Sequence, residues 1–232
     1  MRWRSWDELP PPMRTMEVRK YYDLLQKKRW SLHIKRGFDI TASLLLLLLA
    51  SPAFLALSLA IKADSEGPVF YRQERVTQYG KRFRIHKFRS MEDGADRKGS
   101  LVTVRNDSRV TRVGAVIRKY RLDELAQLID VLEGNMSFVG TRPEVPKYVA
   151  RYTPEMMATL LLPAGITSET SIRFKDEEKL LNGADDVDRV YLEQVLPEKM
   201  KLNLESLEKL SLREDFLTML RTLFAVLGKE YR

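Results

Sequence analysis

Two adjacent carboxylates in a basic stretch are the side chains of this sequence best suited to chemistry. Asp123 and Glu124 follow Arg118, Lys119 and Arg121. Adjacent side chains on a helix point about 100° apart, so burying both requires partners, and the nearby basic residues would hold them ionised. Beside phosphate-binding arginines, such a pair could hold Mg²⁺ and offer a carboxylate nucleophile to phosphorus. From spacing alone, a solvated helix face is the alternative interpretation.

The segment from Gly134 to Pro143 is the second candidate for a site. It places Arg142 between a glycine turn and a proline, where the backbone is stiff. A stiffly held guanidinium suits a bidentate grip on a phosphate. Taken by itself, the segment predicts only a turn.

An apolar run from Ile40 to Ile61 must bring these groups to a membrane. At ~1.5 Å per residue a helix of this length is roughly 33 Å long, enough for the ~30 Å hydrocarbon core. Pro52 removes a backbone N–H and costs ~3 kcal/mol in a helix interior, while Ser51 can donate to a carbonyl of the preceding turn. The run is therefore predicted to break at mid-depth, as a kinked spanning helix or as a re-entrant hairpin.

The charges around the run do not orient a spanning helix, because basic residues lie beyond both of its ends. They are Lys27, Lys28, Arg29, Lys35 and Arg36 before it and Lys62, Arg72, Arg75, Lys81 and Arg82 after it. Both ends therefore prefer the cytoplasm. A kinked spanning helix is nevertheless the commoner fate of such a segment. We expect no signal-peptide cleavage, because the run exceeds a 7–15-residue apolar core and follows a long charged segment.

Composition narrows the class of protein and its compartment. The 232 residues suit one core-forming domain with extensions, and the net charge of +8 indicates attraction to a polyanion: nucleic acid, anionic lipid or a phosphorylated substrate. Cysteine is absent, so nothing points to an oxidising compartment. Histidine occurs only at His33 and His86, and no metal-ligand cluster, Ser-His-Asp set or glycine-rich phosphate loop is visible.

We predict four segments: a basic aromatic N-terminal tail (1–34), a membrane helix (35–63), a cytosolic domain (64–199) and C-terminal amphipathic helices (200–232). Trp and Tyr among Lys and Arg in the tail are typical of a membrane interface. The last segment reads as two helices meeting near Ser211. It either closes the globular core or lies on the bilayer surface.

Within the cytosolic domain the pattern predicts an α+β fold. Residues 69–71 and 81–89 read as the two strands of a hairpin. The polar stretch 93–107 predicts a loop. Apolar residues from 110 to 132 recur at helical spacing, and Gly134-Asn135 then ends that helix.

Six motifs occur in order along the chain. They are Lys35-Arg36-Gly37-Phe38-Asp39, the leucine helix with Ser51-Pro52, Gly67-Pro68-Val69-Phe70, Lys87-Phe88-Arg89-Ser90-Met91, Arg118-Lys119-Tyr120-Arg121-Leu122-Asp123-Glu124-Leu125 and Gly134-Asn135-Met136-Ser137-Phe138-Val139-Gly140. In this order they resemble the bacterial sugar transferases, the monotopic phosphoglycosyl transferases that start glycan assembly on polyprenol phosphate. The resemblance covers roughly Lys35 to the C-terminus.

The resemblance implies a ping-pong reaction at Asp123 and Glu124. Asp123 would attack the sugar-bearing phosphate of a UDP-sugar, UMP would leave, and polyprenyl phosphate would take up the phosphosugar from the aspartate to give polyprenyl-diphospho-sugar. Mg²⁺ is the implied cofactor, with Asp123 as its protein ligand. The residues we expect to contact phosphate are Arg142, Lys87, Arg89 and Arg118.

The resemblance also implies a re-entrant membrane helix, broken at Ser51 and Pro52, which reverses the preference for a spanning helix. Arg36 and Asp39, three residues apart where the helix enters the membrane, could pair at the headgroups. The implied fold is α+β, with a small β-hairpin packed on the helix that carries the dyad. The implied location is the bacterial inner membrane, with the catalytic domain facing the cytoplasm and membrane lipid as a partner.

Two departures from the family pattern stand out. Many relatives have Gly-Pro-Arg-Pro where this chain has Gly140-Thr141-Arg142-Pro143, so the turn loses one rigid residue and keeps its arginine. Many relatives continue Gly-Ile-Thr-Gly, followed by an aromatic residue and Ala-Gln, where this chain has Gly165-Ile166-Thr167-Ser168. The second departure leaves the sugar open.

Alternatives from other classes stay open at this point. A membrane-anchored module could use the basic, aromatic stretch Lys81–Arg89 to bind nucleic acid or anionic lipid. A catalytically dead scaffold for other glycan enzymes is a third reading. We favour the transferase and expect no nucleic-acid partner, while the sequence leaves a homodimer open.

Overall fold

The computed structural model describes residues 3–95, 107–174 and 186–226. Most of the predicted loop 93–107 lies outside these residues. The described part is a mixed α+β structure in which helices surround two small sheets.

The N-terminal segment belongs to the folded core. Helix α1 (Met16–Lys27) buries Tyr21, Tyr22 and Leu25 in a cluster with residues of a 3₁₀ turn, Met156–Leu161. The structure contradicts the interfacial role predicted for these tyrosines. The physical reason is that an amphipathic helix presents the same pattern to a protein surface as to a bilayer.

The apolar run lies in one long helix, α2 (Arg29–Asp64), with Pro52 inside it. Among the described residues, it is the helix long and apolar enough to cross a membrane. Pro52 cannot donate to the carbonyl of Leu48, four residues earlier, but the Ser51 hydroxyl donates to that carbonyl instead (2.8 Å). Because this side chain replaces the lost donor, the helix continues through Pro52, and the predicted break is not confirmed.

A β-hairpin follows α2, as predicted. Strands β1 (Phe70–Val76) and β2 (Arg82–Phe88) pair antiparallel around a 3₁₀ turn at Gln78–Gly80. A second sheet, absent from the prediction, pairs β3 (Met136–Val139) with β4 (Ala164–Thr167) in parallel. Beside the second sheet two glycine backbones meet, because a Cβ on Gly165 would overlap the backbone of Gly140.

The helix predicted over residues 110–132 is interrupted, and that prediction is wrong in one respect. Helix α3 (Arg112–Lys119) ends before Arg121, which has a left-handed backbone (φ 53°). A 3₁₀ turn, Leu122–Ala126, and helix α4 (Gln127–Glu133) follow. Gly134, also left-handed (φ 84°), ends α4 as predicted.

Short helices complete the domain before the C-terminal pair. They are α5 (Pro146–Val149), α6 (Glu169–Arg173) and α7 (Val187–Val190), which runs through a π turn (Tyr191–Val195) into α8 (Leu196–Glu208), and the last helix is α9 (Leu212–Val226). The break falls at residues 209–211, as predicted. Helix α8 buries Leu196, Met200, Leu204 and Leu207 in the core, whereas α9 leaves Phe216 and Leu223 exposed.

Both ends of α2 contact the same folded domain. Near its start, Arg36 donates to the carbonyl of Val131 (2.6 Å), and at its end the Asp64 carboxylate accepts from the backbone N–H of Val113 (2.8 Å). The exposed leucines between these anchors are Leu44, Leu45, Leu46, Leu48, Leu49, Leu55 and Leu59. The leucines in the middle of the helix are therefore not covered by the domain that contacts its two ends.

Candidate active site

The local backbone at Arg121 decides where the two carboxylates point. Its left-handed conformation stops α3 and starts the 3₁₀ turn that carries Asp123 and Glu124. This turn packs against strand β2, which carries Lys87. The sequence predicted that the dyad would lie on a regular helix. The dyad instead lies at a junction between the hairpin and α4.

The structure brings four of the predicted residues together. The Lys87 ammonium lies 3.9 Å from an Asp123 carboxylate oxygen and 3.8 Å from one of Glu124. Arg142 donates to the other side of the dyad, with Nη2 2.6 Å from Glu124 Oε1. Arg142 therefore hydrogen-bonds to Glu124, whereas Lys87 lies just beyond ordinary hydrogen-bond distance of both carboxylates.

These contacts give the two carboxylates different electrostatic settings. Burial alone raises the pKa of Glu124, but the charges of Arg142 and Lys87 outweigh it and hold that pKa at about 2. Burial raises the pKa of Asp123 above its ordinary value, with Lys87 acting against it. Glu124 is thus a fixed anion bound to Arg142, and Asp123 is the less stabilised of the two carboxylates.

Asp123 also lines a cleft of about 630 Å³. The cationic side chains lining this basic cleft are Arg72, Arg75, Arg84, Lys87, Arg89, Arg109 and Arg118. These seven cations outnumber the acidic lining residues Glu92, Asp93 and Asp123, and such an excess suits a polyanionic ligand such as a diphosphate. A phosphorus atom bound in the cleft would lie in a positive field next to a carboxylate oxygen.

Arg118 and Arg89 both line this cleft, but Arg89 has a second task. It is buried, and its guanidinium donates to the carbonyls of Ser65 (2.7 Å) and Glu66 (2.5 Å), just beyond α2. Arg89 therefore fixes the end of α2 against the hairpin. Its phosphate contact, like that of Arg118, stays a prediction.

The predicted pairing of Arg36 with Asp39 is wrong. Arg36 binds carbonyls at the end of α4, while Asp39 is buried and accepts from the Ser137 hydroxyl (3.1 Å) and the Phe138 backbone N–H (3.2 Å). The last carbonyls of α4 lack partners within that helix and therefore accept from Arg36, and the buried Asp39 carboxylate needs hydrogen-bond donors. An exposed i,i+3 ion pair would contribute little by comparison. The two residues thus fasten α2 to α4 and β3.

Sequence reasoning missed a buried pair that positions Lys87. Asp130 on α4 accepts from the His86 backbone N–H (2.8 Å) and lies 2.9 Å from its ring Nδ1. Together with Glu133 these residues form a group with metal-ligand spacing, but the other ring nitrogen of His86 contacts Arg72. The pair therefore ties β2 to α4 and holds Lys87 opposite the dyad. A separation of 44 residues left no local signal for it.

A second missed network holds the loop of Arg142. Glu144, two residues after Arg142, accepts from the Tyr191 hydroxyl (2.5 Å) and from Lys199 (3.3 Å), and all three residues are buried. From the other side, Arg75 donates to the Pro143 carbonyl (3.1 Å). The C-terminal third of the chain thereby supports the arginine that binds Glu124.

The basic stretch on β2 is unsuited to stacking nucleic-acid bases. Phe83, His86 and Phe88, the rings interleaved with its cations, are all buried. Stacking requires an exposed ring face. The burial of these rings therefore removes the observation that favoured a nucleic-acid-binding module.

Comparisons with known proteins identify the family of this chain. An Aeromonas hydrophila UDP-N-acetylgalactosamine-undecaprenyl-phosphate N-acetylgalactosaminephosphotransferase is 46% identical over 53% of this chain and 29% of its own length. A Caulobacter vibrioides UDP-glucose:undecaprenyl-phosphate glucose-1-phosphate transferase is 34% identical over 83% of this chain and 69% of its own length. The chain therefore spans less than a third of the first relative and about two thirds of the second. The profile of the family described as bacterial sugar transferase matches residues 30–229, and the chain belongs to that family.

Proposed function

We propose that this protein transfers a sugar 1-phosphate from a UDP-sugar to polyprenyl phosphate, giving polyprenyl-diphospho-sugar and UMP. The observation that carries this proposal is Asp123 at the wall of the basic cleft, with Lys87 3.9 Å from its carboxylate. Family membership and the activities of the two relatives support the same donor and acceptor classes.

The residues divide the proposed reaction between them. An Asp123 oxygen bonds to the sugar-bearing phosphorus, the bond from that phosphorus to the UMP oxygen breaks, and UMP leaves with the electron pair. A phosphate oxygen of the acceptor then bonds to the same phosphorus, and the Asp123 carboxylate is regenerated. Lys87 lies where it would offset charge on the transferred phosphate, while Glu124 keeps Lys87 and Arg142 in place.

The donor set around Asp123 fits Mg²⁺. This ion usually takes one or two carboxylates and completes its coordination with substrate phosphates and water. Asp123 would be the protein ligand, since Glu124 already binds Arg142 at 2.6 Å. When bound, Mg²⁺ would neutralise the diphosphate and favour departure of UMP.

A re-entrant α2 is part of the proposal, with the catalytic domain on the cytoplasmic face of a bacterial inner membrane. A spanning helix would carry one end some 30 Å across the bilayer, out of reach of the domain. Here Arg36 and Asp64 both contact that domain, while the leucines between them are exposed. Polyprenyl phosphate keeps its tail in lipid and its phosphate at the headgroups. A domain that contacts both ends of such a helix would carry its nucleophile at the membrane surface, near that phosphate.

Labelling of single cysteines tests this topology, because the natural chain contains none. Ile34→Cys and Ala63→Cys flank the membrane part of α2 and are exposed. In sealed inverted membrane vesicles we expect both to react with a membrane-impermeant thiol reagent. Leu48→Cys, at the middle, is expected to be protected by lipid. Reaction of positions 34 and 63 from opposite sides would establish a spanning helix instead.

The activity is tested by incubating the purified protein with Mg²⁺, polyprenyl phosphate and a panel of UDP-sugars. We expect one or a few donors to release UMP and to label the lipid. The panel also identifies the sugar, which Gly165-Ile166-Thr167-Ser168 left open. No UMP from any donor, together with salt-sensitive nucleic-acid binding, would overturn the proposal in favour of a binding module.

A further inference from the structure

A second cavity adjoins the dyad on the side of Glu124. Its volume of about 460 Å³ is within the ~300–1,000 Å³ typical of small-molecule sites. Leu122, Leu125, Leu128, Phe138 and Ile166 give it an apolar lining, unlike the basic cleft on the side of Asp123. Glu124 of the dyad and its partner Arg142 also line it.

This apolar cavity adjoins elements that carry exposed apolar residues. Phe138, in its wall, packs edge-on against Phe38 of α2, with ring centroids 5.9 Å apart. Ala225 lines it from α9, the helix whose Phe216 and Leu223 are exposed. The lining is therefore continuous with the apolar surfaces of α2 and α9.

Cations complete the cavity. Lys119 and Arg121 line it at the end of α3, where the neighbouring Val116 and Tyr120 are exposed. Arg121 is exposed, and its charge lowers the pKa of Glu124 only weakly, after Arg142 and Lys87. An apolar cavity with cations beside it matches a ligand that has a hydrocarbon chain and a phosphate at one end.

We infer that this cavity binds the polyprenyl phosphate acceptor: the isoprene units nearest the phosphate lie on its apolar lining, and Arg121 contacts the phosphate as it approaches the dyad. The inference rests on the proposed function and adds that donor and acceptor use separate cavities. The UDP-sugar lies in the basic cleft beside Asp123, and the rest of the acceptor chain stays in the bilayer along α2 and α9.

A bulky side chain introduced into the apolar cavity is expected to impair the half-reaction with the acceptor and to spare the half-reaction with the donor. Exchange of labelled UMP into the UDP-sugar, without acceptor, reports only donor binding and Asp123 chemistry. For Ala225→Trp we expect this exchange to persist while the KM for polyprenyl phosphate rises roughly tenfold, equivalent to losing about two buried methylene contacts. Ala150→Trp, at an exposed alanine that lines neither the basic cleft nor the apolar cavity, is the matched control. It is expected to leave both measurements unchanged.

Arg121→Gln is the second variant, because it removes the charge that would contact the phosphate but keeps an unbranched polar side chain at this left-handed position. We expect a several-fold rise in the KM for the acceptor, with exchange retained. A normal acceptor KM in both variants, or parallel loss of exchange and acceptor use in both, would overturn the acceptor cavity. Absence of exchange in the wild-type protein with every donor would instead overturn the proposed function itself.

Discussion

Asp123→Asn is expected to abolish turnover while leaving the fold intact. An amide cannot form the aspartyl phosphate, and loss of a covalent nucleophile costs at least ~10⁴-fold in rate in enzymes of this kind. Burial raises the pKa of Asp123, so its ionised form costs stability at neutral pH, and the Asn variant is expected to melt at or above the wild-type temperature. UMP release and thermal unfolding measure the two effects.

Glu133→Gln is the matched control for this substitution. Glu133 is an exposed carboxylate at the end of α4, and we expect its loss to leave UMP release unchanged. Intact-mass analysis after mixing with donor alone should show the phosphosugar adduct in the control and not in Asp123→Asn. Activity of Asp123→Asn near that of the wild type would remove Asp123 from the nucleophilic role.

The sequence predicted which residues gather at the site better than it predicted how the backbone presents them. Adjacent carboxylates and nearby cations were visible in the printed residues, and the structure brings Lys87 and Arg142 to them. The interruption of the helix at Arg121 was not predictable, because apolar spacing continues unchanged through a single left-handed residue. Without that turn, Asp123 and Glu124 would lie on one regular helix surface.

Long-range pairing explains most of the other differences between prediction and structure. Asp39 looked like a partner for Arg36, yet it binds Ser137, 98 residues away. His86 and Asp130 gave no local pattern, and neither did Glu144 with Lys199. Periodicity indicates which face of an element is apolar, but not whether lipid or protein covers that face. In α1 protein covers the apolar face, although the sequence had predicted a membrane interface. Such partners follow only from the packed fold.

Arg142→Met is expected to lower kcat/KM by about 10²–10³-fold, the usual cost of removing one fixed charge that stabilises a transition state. It leaves Glu124 beside a single cation, Lys87, at 3.8 Å. That carboxylate would then compete for Lys87 and draw it away from the transferred phosphate. Arg142→Lys keeps the charge but not the fork geometry, so we expect an intermediate loss.

The pH dependence of stability distinguishes this account from simple loss of a phosphate contact. In the wild type the Glu124 pKa of about 2 lies below its unfolded value, so its contribution to stability is full above the unfolded pKa and is lost as pH falls towards 2. Without Arg142, burial dominates and that pKa rises above the unfolded value, so the ionised group opposes folding at neutral pH. The melting temperature of Arg142→Met should therefore fall further below that of the wild type at pH 7 than at pH 4. An equal deficit at both values would mean that Arg142 does not set the charge state of Glu124, and the dyad would need another source of its asymmetry.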